Sequence, residues 1–477
     1  MAGGSLAGIL NKGSESLTNS RIGVDVTGHN ISNAHTPGYS RQIVNMEAKT
    51  PIQYGLHVFG DGARVQSILR SHNGFLEKQI QREVQVHSKK KELLDGLQKL
   101  QGFFNPDLTS TIRDRLGSFS NAIRELSNEP EEQAARINLI ENGKSLSQAF
   151  NFAYQGILEI QNDSNMQLTQ ECQTLNQKLT EIASLNAKIL ELRSGAQTSA
   201  NDLLDRQDKL VKEVGELIDI NVYNNDNDQL TIRGPNETLL VDGYLSSHLM
   251  VEGKFSSKGE MPRLLVSSFE KNSYSDITTK VSNGKIGALL DIRDIHAKNL
   301  KDNVNSLAKD FGHKFNEIHS MGYGLHEYAD KNGRNFFVGL DGPGDAAQDI
   351  SVDEILFSSP NAVSAGMSPR TPGDNVIANK LVKIFYEPYS DESSFTFTNY
   401  YDKVVASLGQ KTVHVKEETL ASQIVFDKLK AQKESIAGVS LDEEAANLLK
   451  YQHLFNASSK IITTANEMFE TVLGLKR

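Results

Sequence analysis

The sequence predicts a mainly α-helical protein with small inserted β domains, in which the N- and C-terminal helices pair into one inner domain. Three observations predict it. Heptad-spaced apolar lines fill the last forty residues, a similar line opens the chain, and long helical patterns flank a run of short β-type segments on both sides. Helices on either side of a β unit imply a discontinuous architecture, with early and late helices packed together. On this pattern the chain divides into five parts: a terminal-helix domain (1–40 with 436–477), an extended hairpin connector (41–72), a long helical bundle (73–217 with 283–322 and 374–435), a β domain (218–282) and a loosely structured insertion (323–373).

The opening helix carries Leu10, Leu17, Val24 and Ile31 on one line. Beside it run Leu6, Gly13, Ser20 and Thr27, small or polar enough for close approach to another helix. Asn33-Ala-His-Thr-Pro-Gly-Tyr39 ends the helix, because proline cannot continue it and glycine supplies a turn. Alternation from Ser40 to about Leu69 reads as hairpins, with Asp61-Gly62 the best turn signal. Helical patterns run from Asn73 to Leu192, with breaks at Asn105-Pro106 and at Glu129-Pro130. Gly195 closes that stretch, and Asn201-Asp202 starts a helix to about Leu217. Short β-type runs such as Gln229-Leu-Thr-Ile-Arg233 and Thr238-Leu-Leu-Val-Asp242 follow, separated by Asn, Asp and Gly. Helix returns from Gly284 to His319 and again from Asn375 onward; residues 323–373, rich in Gly, Asp, Ser and Pro, show no long periodicity.

The closing helix is the most strongly patterned element. One line is Leu441, Leu448, Phe455, Ile462 and Phe469, and a second is Leu454, Ile461, Met468 and Leu475. Tyr451, Ser458, Ala465 and Val472 lie between them. Order is normally lost at chain ends, so such patterning marks a surface that needs a partner. The candidate assembly interface is therefore Leu10, Leu17, Val24, Ile31, Leu441, Leu448, Leu454, Phe455, Ile461, Ile462, Met468 and Phe469.

Composition narrows the function. A net charge of -10 argues against nucleic acid, whose phosphates need a basic face. The one basic run, Lys89-Lys90-Lys91, reads as a solvated helix face. Mean hydropathy is -0.41, and no apolar run approaches the roughly eighteen residues of a membrane span. The N-terminus lacks the basic start and continuous apolar stretch of a secretory signal. The single cysteine, Cys172, excludes an intrachain disulfide, and its place on a line with Leu168, Leu175, Leu179 and Ile182 makes it a core thiol.

Catalytic chemistry finds no footing. Gly143-Lys144-Ser145 resembles the end of a phosphate loop, yet Asn138 stands where its first glycine belongs and the surroundings read as helix. Asp226-Asn227-Asp228 has calcium-loop spacing, but Thr231 replaces the turn glycine. Gly339-Leu-Asp-Gly-Pro-Gly-Asp345 places a proline where a phosphate cradle wants an amide. His29 with His35, and His313 with His319, are six apart and share no helix face. No catalytic, cofactor-binding or metal-binding residue is predicted, and no cofactor; the chain is expected not to be an enzyme.

Asn30-Ile-Ser-Asn-Ala-His-Thr-Pro-Gly-Tyr-Ser-Arg-Gln42 resembles the N-terminal signature of bacterial flagellar rod, hook and hook-associated proteins. Its Ser40-Arg41-Gln42 continuation is similar to the FlgK family, that of the first hook–filament junction protein. Gly438-Val-Ser-Leu-Asp-Glu-Glu-Ala-Ala-Asn-Leu-Leu449 and Ala465-Asn-Glu-Met-Phe469 resemble the same family's ending. Leu203-Leu-Asp-Arg-Gln-Asp-Lys-Leu-Val211 and Asn332-Gly-Arg-Asn-Phe-Phe337 agree internally. The signature residues are thus Asn30, Asn33, Thr36, Pro37, Gly38, Tyr39, Asn466 and Glu467. His453 and Phe455 depart from the usual small or tyrosine residues, and the β insertions look reduced. The resemblance implies an axial structural protein, exported unfolded through the flagellar channel without a cleaved signal peptide and assembled as a ring at the hook tip. It implies as partners other copies of the chain, hook protein, the second junction protein, and an export chaperone at the C-terminal helix. A hook or second junction protein, or an axial protein with a hidden wall-hydrolase activity in 218–373, is the alternative.

Overall fold

The computed structural model describes residues 2–54, 57–104, 111–194, 200–225, 229–256, 261–269, 273–342, 344–388 and 395–474. The sequence breaks at Asn105-Pro106 and Gly195, the Asp226-Asn227-Asp228 turn and Leu475 lie outside the described residues.

The chain begins with α1 (Ala2–Ser32) and a long two-tiered hairpin: β1 (Gln42–Ala48), β2 (Ile52–Tyr54), β3 (His57–Phe59) and β4 (Ala63–Arg70). β1 pairs antiparallel with β4, and β2 with β3. Asp61-Gly62 is therefore the step between the two tiers, not the tip. The hairpin lies along α1, held by Lys12 to the Gly60 carbonyl at 2.6 Å, by Asn19 to that of Ala63, and by a Lys49–Glu15 ion pair.

The body is a bundle of α2 (Gly74–Gly102), α3 (Ile112–Asn128), α4 (Gln133–Ser194) and α5 (Asn201–Leu217). Asn73 caps α2 by accepting from the amides of Phe75 and Leu76. α4 runs 62 residues and spans both cores of the protein. Gly143-Lys144-Ser145 sits inside it, as the absence of a strand and loop foretold. Its second half supplies Leu168, Cys172, Leu175, Leu179 and Ile182 to the β core, where burial pushes the thiol up to about 12.

Two small antiparallel sheets cover that half. One is β5 (Asn221–Asn224), β6 (Leu230–Arg233), β7 (Leu239–Asp242) and β8 (Leu245–Ser246); the other joins β9 (Leu249–Glu252), β10 (Arg263–Ser267) and β11 (Tyr274–Asp276). The predicted return helix is α6 (Gly284–Asp291) and α7 (Ala297–His319), joined by a π turn at Ile292–His296. Arg293, fully buried in that turn, donates to Asn165 of α4, to the Pro262 carbonyl beside β10 and to Asp294. One side chain thereby fastens the β unit to the bundle. Lys89 is not a bare solvated charge: it pairs with Asp291 at 2.7 Å and donates to the Ser282 carbonyl.

Residues 323–373 are not loosely structured. They contain β12 (Phe337–Val338), α8 (Ala346–Asp349), β13 (Ser351–Val352) and α9 (Glu354–Ser358), and they enter the main core with Phe336, Phe337, Leu340, Ile350, Leu356 and Val363. Phe336 and Phe337 meet Phe119 and Phe315 with ring centroids 5.0–5.7 Å apart. Asn316 replaces a regular ladder, accepting from the amides of Phe336 and Phe337 and donating to the Phe337 carbonyl. The apolar residues arrive through turns rather than at a constant period, so periodicity does not reveal them. α10 (Val376–Lys383), α11 (Phe397–Ala437) and α12 (Leu441–Gly474) complete the chain, with α11 laid along α2.

His319 locks this irregular segment down. Fully enclosed, it donates from Nδ1 to the Arg334 carbonyl and accepts the Ser364 amide at Nε2, so it is neutral. Burial lowers its pKa to about 4 from an ordinary 6.5. The unfolded chain then binds the proton more tightly, and this contribution is complete above pH 6.5 and lost as pH falls through 4. Denaturant melts across that window should show wild type losing up to roughly 3 kcal/mol more than His319→Asn, at about 1.4 kcal/mol per tenfold change in proton affinity.

Candidate functional site: the terminal helix pair and its joint

α1 and α12 run antiparallel, with Ser16 facing Ser458 (Oγ to Oγ 2.7 Å) and Asn30 facing Glu444 (3.1 Å). The contact seam is narrow. On α1 it runs through Leu6, Gly13, Ser16, Ser20, Gly23, Thr27 and Asn30; on α12, through Glu444, Tyr451, Ser458, Ile462 and Ala465. Gly23 is required there, since any Cβ would intrude on the Tyr451 ring.

Of the predicted interface residues, Ile462 packs on Gly13 within the seam and the others flank it. Leu10, Leu17, Val24, Ile31, Leu448 and Ile462 are half-buried. Leu441, Leu454, Phe455, Ile461, Met468 and Phe469 remain exposed, Met468 at 53% and Ile461 at 48%. The small residues between the two apolar lines thus make the closest approach, and Leu441, Leu454, Phe455, Ile461, Met468 and Phe469 of α12 are left open.

At the other end of the pair the signature residues form a polar joint. The Asn30 side chain is buried and makes four hydrogen bonds: it donates to the Gln42 carbonyl and Glu444 Oε2, and accepts from the Gln42 amide and the Tyr39 hydroxyl, all within 2.7–3.1 Å. Arg41 pairs with Glu444 at 2.8 Å and Glu443 at 2.7 Å, and its amide donates to the Ala437 carbonyl. Burial, with Asp202, Asp205 and Glu444 nearby, raises the Tyr39 hydroxyl well above its ordinary pKa and keeps it a donor. Thr36 donates to Asn33 Oδ1, and Gly38 turns the chain at φ +89°, a value suited to glycine. Pro37 is exposed. Asn466 and Glu467 do not join this cluster; they lie exposed along α12, away from the joint.

The body meets the joint through one face of α5. Asp205 accepts the Ser40 amide (2.9 Å) and pairs with Arg70 (2.8 Å); Asp208 also holds Arg70, and Asp202 accepts from Gln42. Burial opposes the Arg70 charge, but Asp208 and Asp205 outweigh it and raise its pKa. Below lies a second ionic group, Glu77 of α2 between Lys212 of α5 and Lys433 of α11, at 2.7 and 2.6 Å. Burial disfavours the Glu77 charge, yet the two lysines win and hold its pKa low. The sequence alone does not show that these residues converge. The i, i+3, i+6 spacing of Asp202, Asp205 and Asp208 on one helix face was the available signal.

Comparison with known proteins follows this geometry. The family model described as the flagellar hook-associated protein FlgK helical domain matches residues 97–337, half the chain. The chain belongs to the FlgK family. A second model, described as the flagellar basal body rod FlgEFG protein C-terminal, matches residues 433–475, which hold the closing helix. Flagellar hook-associated protein 1 of Bacillus subtilis is 24% identical over 96% of both chains. That of Salmonella typhimurium is 23% identical over 99% of this chain and 100% of its own. The flagellar hook junction protein FlgK of Burkholderia pseudomallei shares the fold at a TM-score of 0.65 and 11% identity, covering 76% of this chain and all of its own. Among the described residues no helix is long and apolar enough to cross a membrane, and no group of three metal-ligating side chains occurs.

Two substitutions test the joint. Asn30→Ala strands the Gln42 backbone groups and one Glu444 oxygen, a loss of about 3 kcal/mol. Gly23→Val wedges the seam at Tyr451. Both should speed amide exchange in α12, by about 100-fold for Asn30→Ala, while exchange in α4 stays unchanged.

Proposed function

We propose that this chain is a structural axial protein of the bacterial flagellum that forms the junction ring between hook and filament. The observation that carries the reading is the terminal helix pair, whose register is set by buried polar groups while large apolar side chains of α12, among them Phe455, Ile461 and Met468, stay open. Exposed apolar area of this extent on a regular helix calls for further protein. The full-length likeness to proteins named flagellar hook-associated protein 1 supports the junction over other axial positions.

The assembled protein sits outside the cell, reached through the flagellar export apparatus. Its partners are further copies of itself around the ring, hook protein on one side and the second hook–filament junction protein on the other. Before assembly an export chaperone covers the C-terminal helix, whose open apolar lines suit a helix-binding groove. The role is structural rather than catalytic.

A deletion strain tests this: hooks should form without filaments, and filament protein should be shed into the medium. Normal filaments would overturn the reading. Phe455→Asp with Ile461→Asp should leave the melting temperature of the purified chain unchanged and fail to complement the deletion. In the free subunit α12 keeps many of its large apolar side chains exposed whereas α4 runs through both cores, so hydrogen exchange should find α1 and α12 less protected than α4.

A further inference from the structure

α11 carries a second open face, distinct from that of the α1–α12 pair. Its inner side buries Thr412, Val415 and Ser422 and packs Phe426 and Leu429 against α2. Directly opposite, at helical spacing, Val413, Leu420 and Ile424 are 57%, 58% and 57% exposed, and Ala431 continues the line.

The charges beside this stripe have an internal symmetry. Taken at 100° per residue, Lys416 and Asp427 lie on one edge, and Glu417 and Lys428 on the other. All four are exposed. Asp427 is steadied by Gln423 (2.9 Å). Residue 422 is the centre of the pattern: Leu420 and Ile424 flank it equally, while Lys416 and Asp427, like Glu417 and Lys428, stand almost equally far on opposite sides. Reversing the helix about that point therefore maps the stripe onto itself with the charge signs exchanged.

We propose that this face docks a second copy of the chain, antiparallel, about a two-fold axis level with residue 422. Leu420 then meets the partner's Ile424, and Val413 meets the partner's Ala431. Lys416 meets the partner's Asp427, and Glu417 the partner's Lys428; the axis repeats each pairing once. An unrelated partner would give no reason for the two edges to complement each other under reversal. The stripe spans about 27 Å of helix and buries less than a standard interface, so association is weak, with a Kd on the order of 100 μM. A two-fold pair turns one copy upside down, whereas subunits of an axial ring all point one way. The dimer therefore belongs to the soluble chain and is dissolved on assembly.

Sedimentation velocity of the full chain, up to about 500 μM, tests this. Wild type should show a concentration-dependent dimer. K416D, which sets like charges against each other twice, should weaken it about tenfold, and I424D should abolish it. K416D/D427K should restore wild-type association, and circular dichroism should be the same for all four proteins. A wild type that stays monomeric, a K416D that dimerises normally, or a double reversal that fails to restore would each overturn the proposal. I424D should still complement a deletion strain, so this proposal and the junction function fail separately.

Discussion

One side-chain amide holds the two ends of this protein together. Asn30 uses both of its donors and both acceptor positions, on partners drawn from the connector and from α12. Glu444, 414 residues further along the chain, is buried with it and would be costly there without Asn30 and Arg41. The arrangement is satisfied at one register only. A slip by one turn of α12 would leave the buried Glu444 carboxylate and Asn30 amide, with the half-buried Arg41 guanidinium, without partners, a larger loss than any repacking of the apolar flanks could recover. Directional groups thus decide the alignment, and the apolar residues are released from that task.

The body is tied to this joint by the same means. α5 offers three carboxylates along one face, and they hold the connector, through Ser40 and Gln42, and strand β4, through Arg70. Glu77, Lys212 and Lys433 then bind α5 to α2 and α11. Further out, Arg293 repeats the device for the β unit. Each boundary between units is therefore crossed by a buried cation with several acceptors or a carboxylate with several donors. Such groups fix geometry more sharply than an apolar contact, which slides at little cost.

Much of this was legible in the sequence, and what was not has a physical cause. Helices announce themselves by periodicity, so α1, α5 and the Gly284–His319 segment fall within a residue or two of expectation. The family signature also stands in the sequence, but spacing says nothing about what Asn30 touches, because its partners lie 9, 12 and 414 residues away. Residues 323–373 misled for a related reason. Their glycines and prolines are those of a loop, yet tight turns carry Phe336 and Phe337 into the core, and Asn316 with His319 satisfies the backbone there. A pattern detects regular structure; it cannot detect irregular backbone whose hydrogen bonds are met by side chains from elsewhere.

The division of labour along α12 follows from these energetics. If its large apolar side chains set the α1–α12 alignment, they would be spent inside the subunit and the pair would close into a finished core. Small residues at Ser458, Ala465 and Gly23 bring the two backbones close, while the polar joint supplies register. Phe455, Ile461 and Met468 remain on the outside, held at fixed spacing on a rigid rod. A surface of that kind is pre-organised: the ordering cost of aligning the two helices is met before a neighbour arrives, so burial against the neighbour goes further into association. The polar joint and the exposed apolar flanks are therefore one design, and weakening the first should weaken assembly even where no contact with a neighbour is touched.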